Sequence, residues 1–384
     1  EHLPNYQITN VVVKKIISGD IIDTNKIFNF TATLKDGDTQ IAFPSSPGTG
    51  ITLSNNNTTA NFTLKHNGTV TFEGIPVGAE VTITEVVDEN YTTTNNQGLG
   101  GVTATYVVKS GTNNTVEFTN TLRKSSVTVK KIVLYDETDK AFNFTAELYN
   151  GTSKMEFPAA VLGTNITFST DRNSASFTLK NNETVTFKGL PVGAVLKITE
   201  DTTDENYVTT NSITPDSAIA NTEILVEERT VTYTNTRKSG EVTVSKTVVG
   251  STNDRNQAFE FEATLWNGDN RIDFPKSVEE IDGVELNWTD NKARFSLKDG
   301  ESITFAGLPL NATLKVTETP LDNYTTTVTP TTAEQTVEYE NPKSISFTNT
   351  RKTADVDVRK TVVGGIIDEQ LEFDFTATLW EGTS

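Results

Sequence analysis

Four short alternating runs end in a lysine where a core residue belongs, and they recur at a nearly constant distance. They are Val11-x-Val13-x-Lys15, Val127-x-Val129-x-Lys131, Val242-x-Val244-x-Lys246 and Val356-x-Val358-x-Lys360, with the lysines 116, 115 and 114 residues apart. In a β-strand alternate side chains face the same way, so each lysine shares a face with two valines. The neighbouring column reads Lys14, Lys130, Ser245, Arg359 and tolerates substitution, as a solvated face does. Lysine is almost never buried without a partner. The inward lysine therefore demands one, and its period marks the chain as a tandem array.

The rest of each repeat follows in the same order. A Phe-x-Phe-x-Ala-x-Leu strand comes next, at Phe28 to Leu34, Phe142 to Leu148, Phe259 to Leu265 and Phe373 to Leu379. After a Phe-x-Leu strand comes a turn motif: Gly74-Ile75-Pro76-Val77-Gly78, Gly189-Leu190-Pro191-Val192-Gly193 and Gly307-Leu308-Pro309-Leu310-Asn311. Asn311 in place of glycine predicts a positive φ, which glycine adopts freely and asparagine tolerates. Strict alternation, Thr/Val/Phe-rich runs and frequent turn signals predict all-β sandwiches of immunoglobulin-like type, and no segment has a helical period. The expected domains are 1–122, 123–237 and 238–351, with 352–384 an incomplete fourth repeat. The joining stretches, such as Leu122-Arg123-Lys124-Ser125 and Arg237-Lys238-Ser239-Gly240, read as short polar linkers that would hold the domains in an elongated rod.

Two more polar columns face inward. After the turn motif, Glu85 shares a face with Val81 and Ile83, Glu200 with Leu196 and Ile198, and Glu318 with Leu314 and Val316. On the last strand Asn120 aligns with Val116 and Phe118, Asn235 with Val231 and Tyr233, and Asn349 with Ile345 and Phe347. Singly, each has an ordinary account: the lysine reaches water, the glutamate pairs with it, the asparagine satisfies backbone groups. Recurrence in phase in three repeats points instead to chemistry. Burial drives a lysine towards the neutral amine and a glutamate towards the protonated acid. A neutral amine can attack a carboxamide polarised by that acid, with folding supplying the proximity. The product is an isopeptide bond, formed once per domain without a cofactor.

These residues carry a resemblance. Val-Thr-Val-x-Lys, Gly-Leu-Pro-Val-Gly followed by Ile-Thr-Glu, a downstream Asn-Tyr and Phe-Thr-Asn-Thr together resemble CnaB-type domains, the isopeptide-forming repeats of Gram-positive pilin backbones and surface adhesin stalks. The resemblance covers Lys15 to Asn349 plus the opening strands of a fourth copy. It implies cross-links Lys15–Asn120, Lys131–Asn235 and Lys246–Asn349, with Glu85, Glu200 and Glu318 catalytic. Lys360 has neither partner within its own repeat and is expected to remain a free amine. Leu3-Pro4-Asn5-Tyr6 is a poor match to a sorting signal, and Asn341-Pro342-Lys343 is a faint echo of a pilin lysine motif.

The bulk properties suit such a role. A formal charge of −19 argues against nucleic-acid binding, and the absence of cysteine excludes disulfides and thiolate chemistry. No apolar run is long enough to span a membrane. The chain begins at Glu1 without a signal-peptide pattern and reads as a mature or internal segment. His2 and His66 lack triad partners, and Asp269-Asn270 and Asp282-Gly283 lack a calcium-loop pattern, so neither multiple-turnover catalysis nor metal binding is expected. Trp266 and Trp380 sit at matching positions after the second strand and read as core or turn packing. The expectation is a structural extracellular or cell-wall stalk, partnered by other copies or domains of the same fibre. The alternatives are an adhesin that takes a host or matrix ligand through loops such as 95–111 and 211–228, and an uncross-linked spacer of an extracellular enzyme.

Overall fold

In the computed structural model the described residues are 7–98, 100–111, 114–135, 139–364 and 370–380. His2 and Leu3-Pro4-Asn5-Tyr6 lie outside them. The chain divides into two compact units, Glu1–Lys238 and Ser239–Ser384. The first unit holds two sandwiches and the second holds one, each around its own apolar core.

The first repeat shows the plan. Its strands are β1 (Ile8–Ser18), β2 (Phe28–Asp36), β3 (Thr39–Ile41), β4 (Ile51–Ser54), β5 (Thr59–Leu64), β6 (Thr69–Pro76), β7 (Glu80–Glu85), β8 (Tyr91–Asn95), β9 (Thr103–Val107) and β10 (Asn114–Leu122). One sheet runs β6-β1-β10-β8, and the facing sheet runs β4-β5-β2-β7-β9 with β3 paired to β2. The pairing of β1 with β10 is parallel and every other pairing is antiparallel. First and last strands therefore lie side by side at the centre of one sheet, where Val11, Val13, Val116 and Phe118 are fully buried. The second and third repeats reproduce both sheet orders.

The Gly-x-Pro motif proves to be more strand than turn. Thr9 pairs with Ile75 and Val11 with Phe72, so β6 carries an extra residue opposite Asn10. Gly74 takes up that bulge at φ +69°, a conformation open to glycine at little cost. Pro76 ends an edge strand, where its missing N–H costs no ladder bond. The turn proper follows, with Gly78 at φ +90°, Gly193 at +83° and Asn311 at +62°, the positive φ predicted for Asn311.

Four expectations are corrected. The joining stretches are not linkers: one residue, Arg123, separates β10 from the next first strand, Lys124–Leu134, and only Lys238 separates Arg229–Arg237 from Ser239–Val249. Lys124 and Ser125 already pair with Pro191 and Leu190. Among the described residues there are two short helical elements, a helix at Thr252–Asn256 and a 3-10 turn at Lys276–Val278. The helix is a capping box of Ser251 and Asp254, too short for a periodic signal. The segments 95–111 and 211–228 are not open loops, since each contributes a strand, β9 and Ile219–Glu223, to the larger sheet. Trp266 is neither core nor turn: it lies within the strand Phe259–Asn267, half-buried, with the Lys315 ammonium 5.0 Å from its ring, and Trp380 is exposed.

The fourth run differs from the three complete repeats. No described residue from Lys352 to Trp380 is in a strand, and Val356, Val358, Phe373, Phe375 and Leu379 are exposed. An alternating sequence holds as a strand only when neighbouring strands pair with it and its apolar face is covered. In the complete repeats those neighbours come from sixty and a hundred residues further along the chain, as with β6 and β10 for β1.

Candidate functional site

The three inward polar columns converge. Lys15 on β1 and Asn120 on β10 stand diagonally on one sheet, because the parallel register aligns Lys15 with Phe118 and Ile17 with Asn120. Glu85 reaches them from the end of β7 in the facing sheet. Lys15 Nζ donates to Glu85 Oε1 and Oε2 at 3.1 and 2.9 Å, and Asn120 Nδ2 donates to Oε1 at 2.5 Å. In the second repeat Lys131 lies 2.9 Å from both oxygens of Glu200, and Asn235 Nδ2 lies 2.5 Å from Oε1. In the third, Lys246 donates to Glu318 Oε2 at 2.7 Å and Asn349 Nδ2 to Oε1 at 2.5 Å. All nine residues are buried, the most exposed being Glu318 at 7%. The Oδ1 atoms of Asn120, Asn235 and Asn349 are buried without a hydrogen-bond partner.

Electrostatics follow from this burial. Desolvation holds the Lys15, Lys131 and Lys246 amines below the usual lysine range, Lys131 at about 8, although each neighbouring carboxylate pulls the other way. The same desolvation pushes Glu85 and Glu200 up against the attraction of their lysines. Amine and carboxyl are thus both moved towards their neutral forms. As a device for stability such a pair is poor, since desolvation consumes most of its Coulombic gain.

The sequence reading missed the aromatic wall. The first phenylalanine of the Phe-x-Phe strand lies under the amine: Lys15 Nζ is 4.4 Å from the Phe28 ring centre, Lys131 4.5 Å from Phe142 and Lys246 4.0 Å from Phe259. Phe30, Phe144 and Phe261 flank it at 6.0, 5.8 and 5.7 Å. The signal was present as an in-phase column, which core packing alone accounted for. His66 is structural: its Nδ1 accepts the Ile17 N–H at 2.9 Å, as Asn181 Oδ1 does for Val133 and Asp299 Oδ1 for Val248. Lys360 lies in an exposed stretch, 4.4 Å from the Phe373 ring.

Comparison with known proteins places the repeats. A family model described as "Domain of unknown function (DUF7601)" matches residues 9–122, 125–237 and 240–351. The chain belongs to this family. Its three DUF7601 repeats coincide with the three sandwiches. A stretch of 116 residues is 34% identical to the pilus tip adhesin Cpa of Streptococcus pyogenes, covering 27% of this chain and 17% of that protein. The chain thus spans about a sixth of the relative it matches. Among solved structures, the Bacillus anthracis TIE protein is 15% identical with a TM-score of 0.39, over 90% of this chain and 51% of that one. A variant of the Streptococcus pyogenes major pilin is 18% identical with a TM-score of 0.33, over 60% and 99%. The fold assigned above rests on this chain's own strand pairings.

Proposed function

We propose that this chain is a segment of a Gram-positive cell-surface pilus or adhesin stalk, in which each DUF7601 repeat hardens itself with a Lys–Asn isopeptide bond. The bonds join Lys15 to Asn120, Lys131 to Asn235 and Lys246 to Asn349, within domains spanning 1–122, 123–237 and 238–351. The observation that carries this reading is the triple recurrence of one buried geometry, a lysine and an asparagine both donating to one glutamate carboxylate. Kinship of one repeat's length with a pilus protein supports the surface setting. Partners of such a stalk are other subunits of the same fibre.

The chemistry balances within the three side chains. The neutral Nζ attacks Asn Cγ, and the protonated glutamate donates to the developing oxyanion on Oδ1. The glutamate then takes a proton from Nζ and delivers one to Nδ2. The Cγ–Nδ2 bond breaks, ammonia leaves, the Oδ1 proton returns to the glutamate as the carbonyl re-forms, and Cγ–Nζ remains. One detail supports the protonated acid. The 2.5 Å contact between the asparagine amide and Glu Oε1 is the length of an O–H···O bond, shorter than the roughly 2.7 Å minimum for N–H···O. Turning the amide by half a rotation about Cβ–Cγ brings Oδ1 to that position and gives the orphaned oxygen its donor. Left orphaned, such an atom costs about 1–3 kcal/mol.

The test is intact mass. The folded chain is expected to weigh less than its sequence by three molecules of ammonia, and a chain at full sequence mass sinks the proposal. The rate has a second signature. Ammonium–carboxylate and amine–carboxylic acid carry the same single proton, so their ratio does not change with pH. Bond formation on refolding is therefore expected to be flat around neutrality. It falls in acid, where a second proton fixes the ammonium, and falls above about 8 in the second repeat, where Lys131 and Glu200 lose the shared proton. An ordinary exposed amine would instead gain reactivity up to about pH 10. Peptide mapping of timed samples separates the two profiles.

A further inference from the structure

Each phenylalanine beneath a lysine amine has a tyrosine packed edge-on against it. Tyr91, the first residue of β8, lies 5.6 Å from Phe28 at 78°. Tyr207 lies 5.2 Å from Phe142 at 87°, and Tyr324 lies 5.2 Å from Phe259 at 79°. Tyr91 and Tyr324 are 8% and 9% exposed, so one edge of each marks where the pocket meets water. All three start the edge strand beside the last strand, Tyr91 opposite Leu122, with Asn120 two residues back on the same face.

An ion pair lies beside each tyrosine, formed by the same aligned lysine and aspartate in the first two repeats and by other residues in the third. In the first repeat Lys26 pairs with Asp88 at 2.7 Å, and Tyr91 N–H closes a turn on the Asp88 carbonyl at 3.0 Å. In the second, Lys140 pairs with Asp204 and lies 5.3 Å from the Tyr207 ring and 5.7 Å from Phe142. The third repeat has Leu321 where the others have that aspartate. Its carboxylate is Asp254, from the short helix in the preceding loop, which accepts from Tyr324 Oη at 2.5 Å and pairs with Arg351 at 3.4 Å. Arg351 in turn lies 5.4 Å from the Tyr324 ring. The helix carboxylate and strand-end arginine of the third repeat are unrelated in position to the loop lysine and turn aspartate of the first two, yet they place an ion pair beside the same ring. Core packing needs an aromatic residue here but does not need an ion pair over it.

We propose that Tyr91, Tyr207 and Tyr324 are positioning residues for the cross-link. Each clasped ring closes the watery side of the nucleophile pocket and holds the phenylalanine against the lysine amine. The clasp has an electrostatic side as well. The Asp88 charge favours the ammonium form of Lys15, and Lys26 opposes that charge. The ring works by excluding water, and in the third repeat its hydroxyl also donates to Asp254.

This inference rests on the isopeptide reading, and the experiment separates the two. In full-length chains refolded from denaturant, site-resolved mapping is expected to show Tyr207→Ala slowing the Lys131–Asn235 bond at least tenfold. The other two bonds in the same molecules should form at the unaltered rate. Tyr207→Phe is expected to restore the rate to within about threefold, because the ring edge that packs on Phe142 is retained. A Tyr207→Ala rate equal to the parent's, or a Tyr207→Phe as slow as Tyr207→Ala, overturns the proposal. The lid is also read without the bond, in an Asn235→Ala chain whose Lys131 keeps its glutamate and has no amide to attack. There an acetylating reagent is expected to leave Lys131 unmodified at neutral pH and to label it at least ten times faster once Tyr207→Ala is added. Equal labelling refutes the lid, whereas a parent chain at full sequence mass refutes the cross-link and leaves the labelling result standing.

Discussion

Glu200→Ala is expected to give a chain one ammonia heavier than the parent, with Lys131 and Asn235 recovered in separate peptides. The carboxyl is the only group among the three side chains that can hand a proton to the leaving amide nitrogen. Positioned acid–base groups of this kind contribute about 10²–10⁴ in rate. The loss is larger here, because Glu200 also gives the amine its place: both of its oxygens lie 2.9 Å from Lys131 Nζ. The repeat should still fold. Stranding a buried ammonium costs about 3–5 kcal/mol. Lys131 is already held at about 8 by desolvation and can shed its proton instead. Far-UV circular dichroism would register the strand content, and mass spectrometry the missing bond. A variant that forms the bond at the parental rate removes Glu200 from the mechanism.

Asn235→Ala should have the largest effect on stability. It abolishes the bond while leaving Lys131 and Glu200 paired, so the loss reports the cross-link rather than a stranded charge. A Lys131–Asn235 bond would close a loop of about a hundred residues, and the chain-entropy model values such a closure at about 4–5 kcal/mol. For a domain of this size its loss is expected to lower the midpoint of the second repeat's thermal transition by on the order of 15–25 °C. Calorimetry on the full chain provides its own controls, since the proposed bonds of the first and third repeats are untouched by the substitution. A midpoint within a few degrees of the parent would mean that no bond was lost. The mechanical consequence follows from the parallel register. The leading end of β1 and the trailing end of β10 lie at opposite ends of the sheet, so pulling on them shears the pair. A bond from Lys15 to Asn120 would carry that tension directly and leave the intervening residues unloaded.

Much of this site was legible in the chain because its evidence is local. Two-residue alternation placed Lys15, Glu85 and Asn120 on apolar faces, and repetition of the placement removed accident as its cause. What alternation could not supply was the partner across the sheet. Val356-x-Val358-x-Lys360 has the same local pattern as Val11-x-Val13-x-Lys15, yet its described residues form no strand. Pattern sets which face is apolar, and pairing needs the other strands. The polar linkers were misread for a related reason: Lys124 and Ser125 look like a loop by composition and are strand because Pro191 and Leu190 pair with them.

The sequence by itself determined the repeat, the sandwich class, the inward lysine, glutamate and asparagine, and the left-handed turn at Asn311. These follow from side-chain period and backbone sterics, which act over a few residues. The tertiary structure alone decided that lysine and asparagine share one sheet in parallel while the glutamate crosses from the other. It also decided that a phenylalanine lies under each amine with a tyrosine edge-on against it, and that the third repeat sets a different ion pair beside that tyrosine from the first two. Those contacts join residues as much as a hundred positions apart. Their geometry is fixed only when two sheets close on a common core, a step in which every strand takes part.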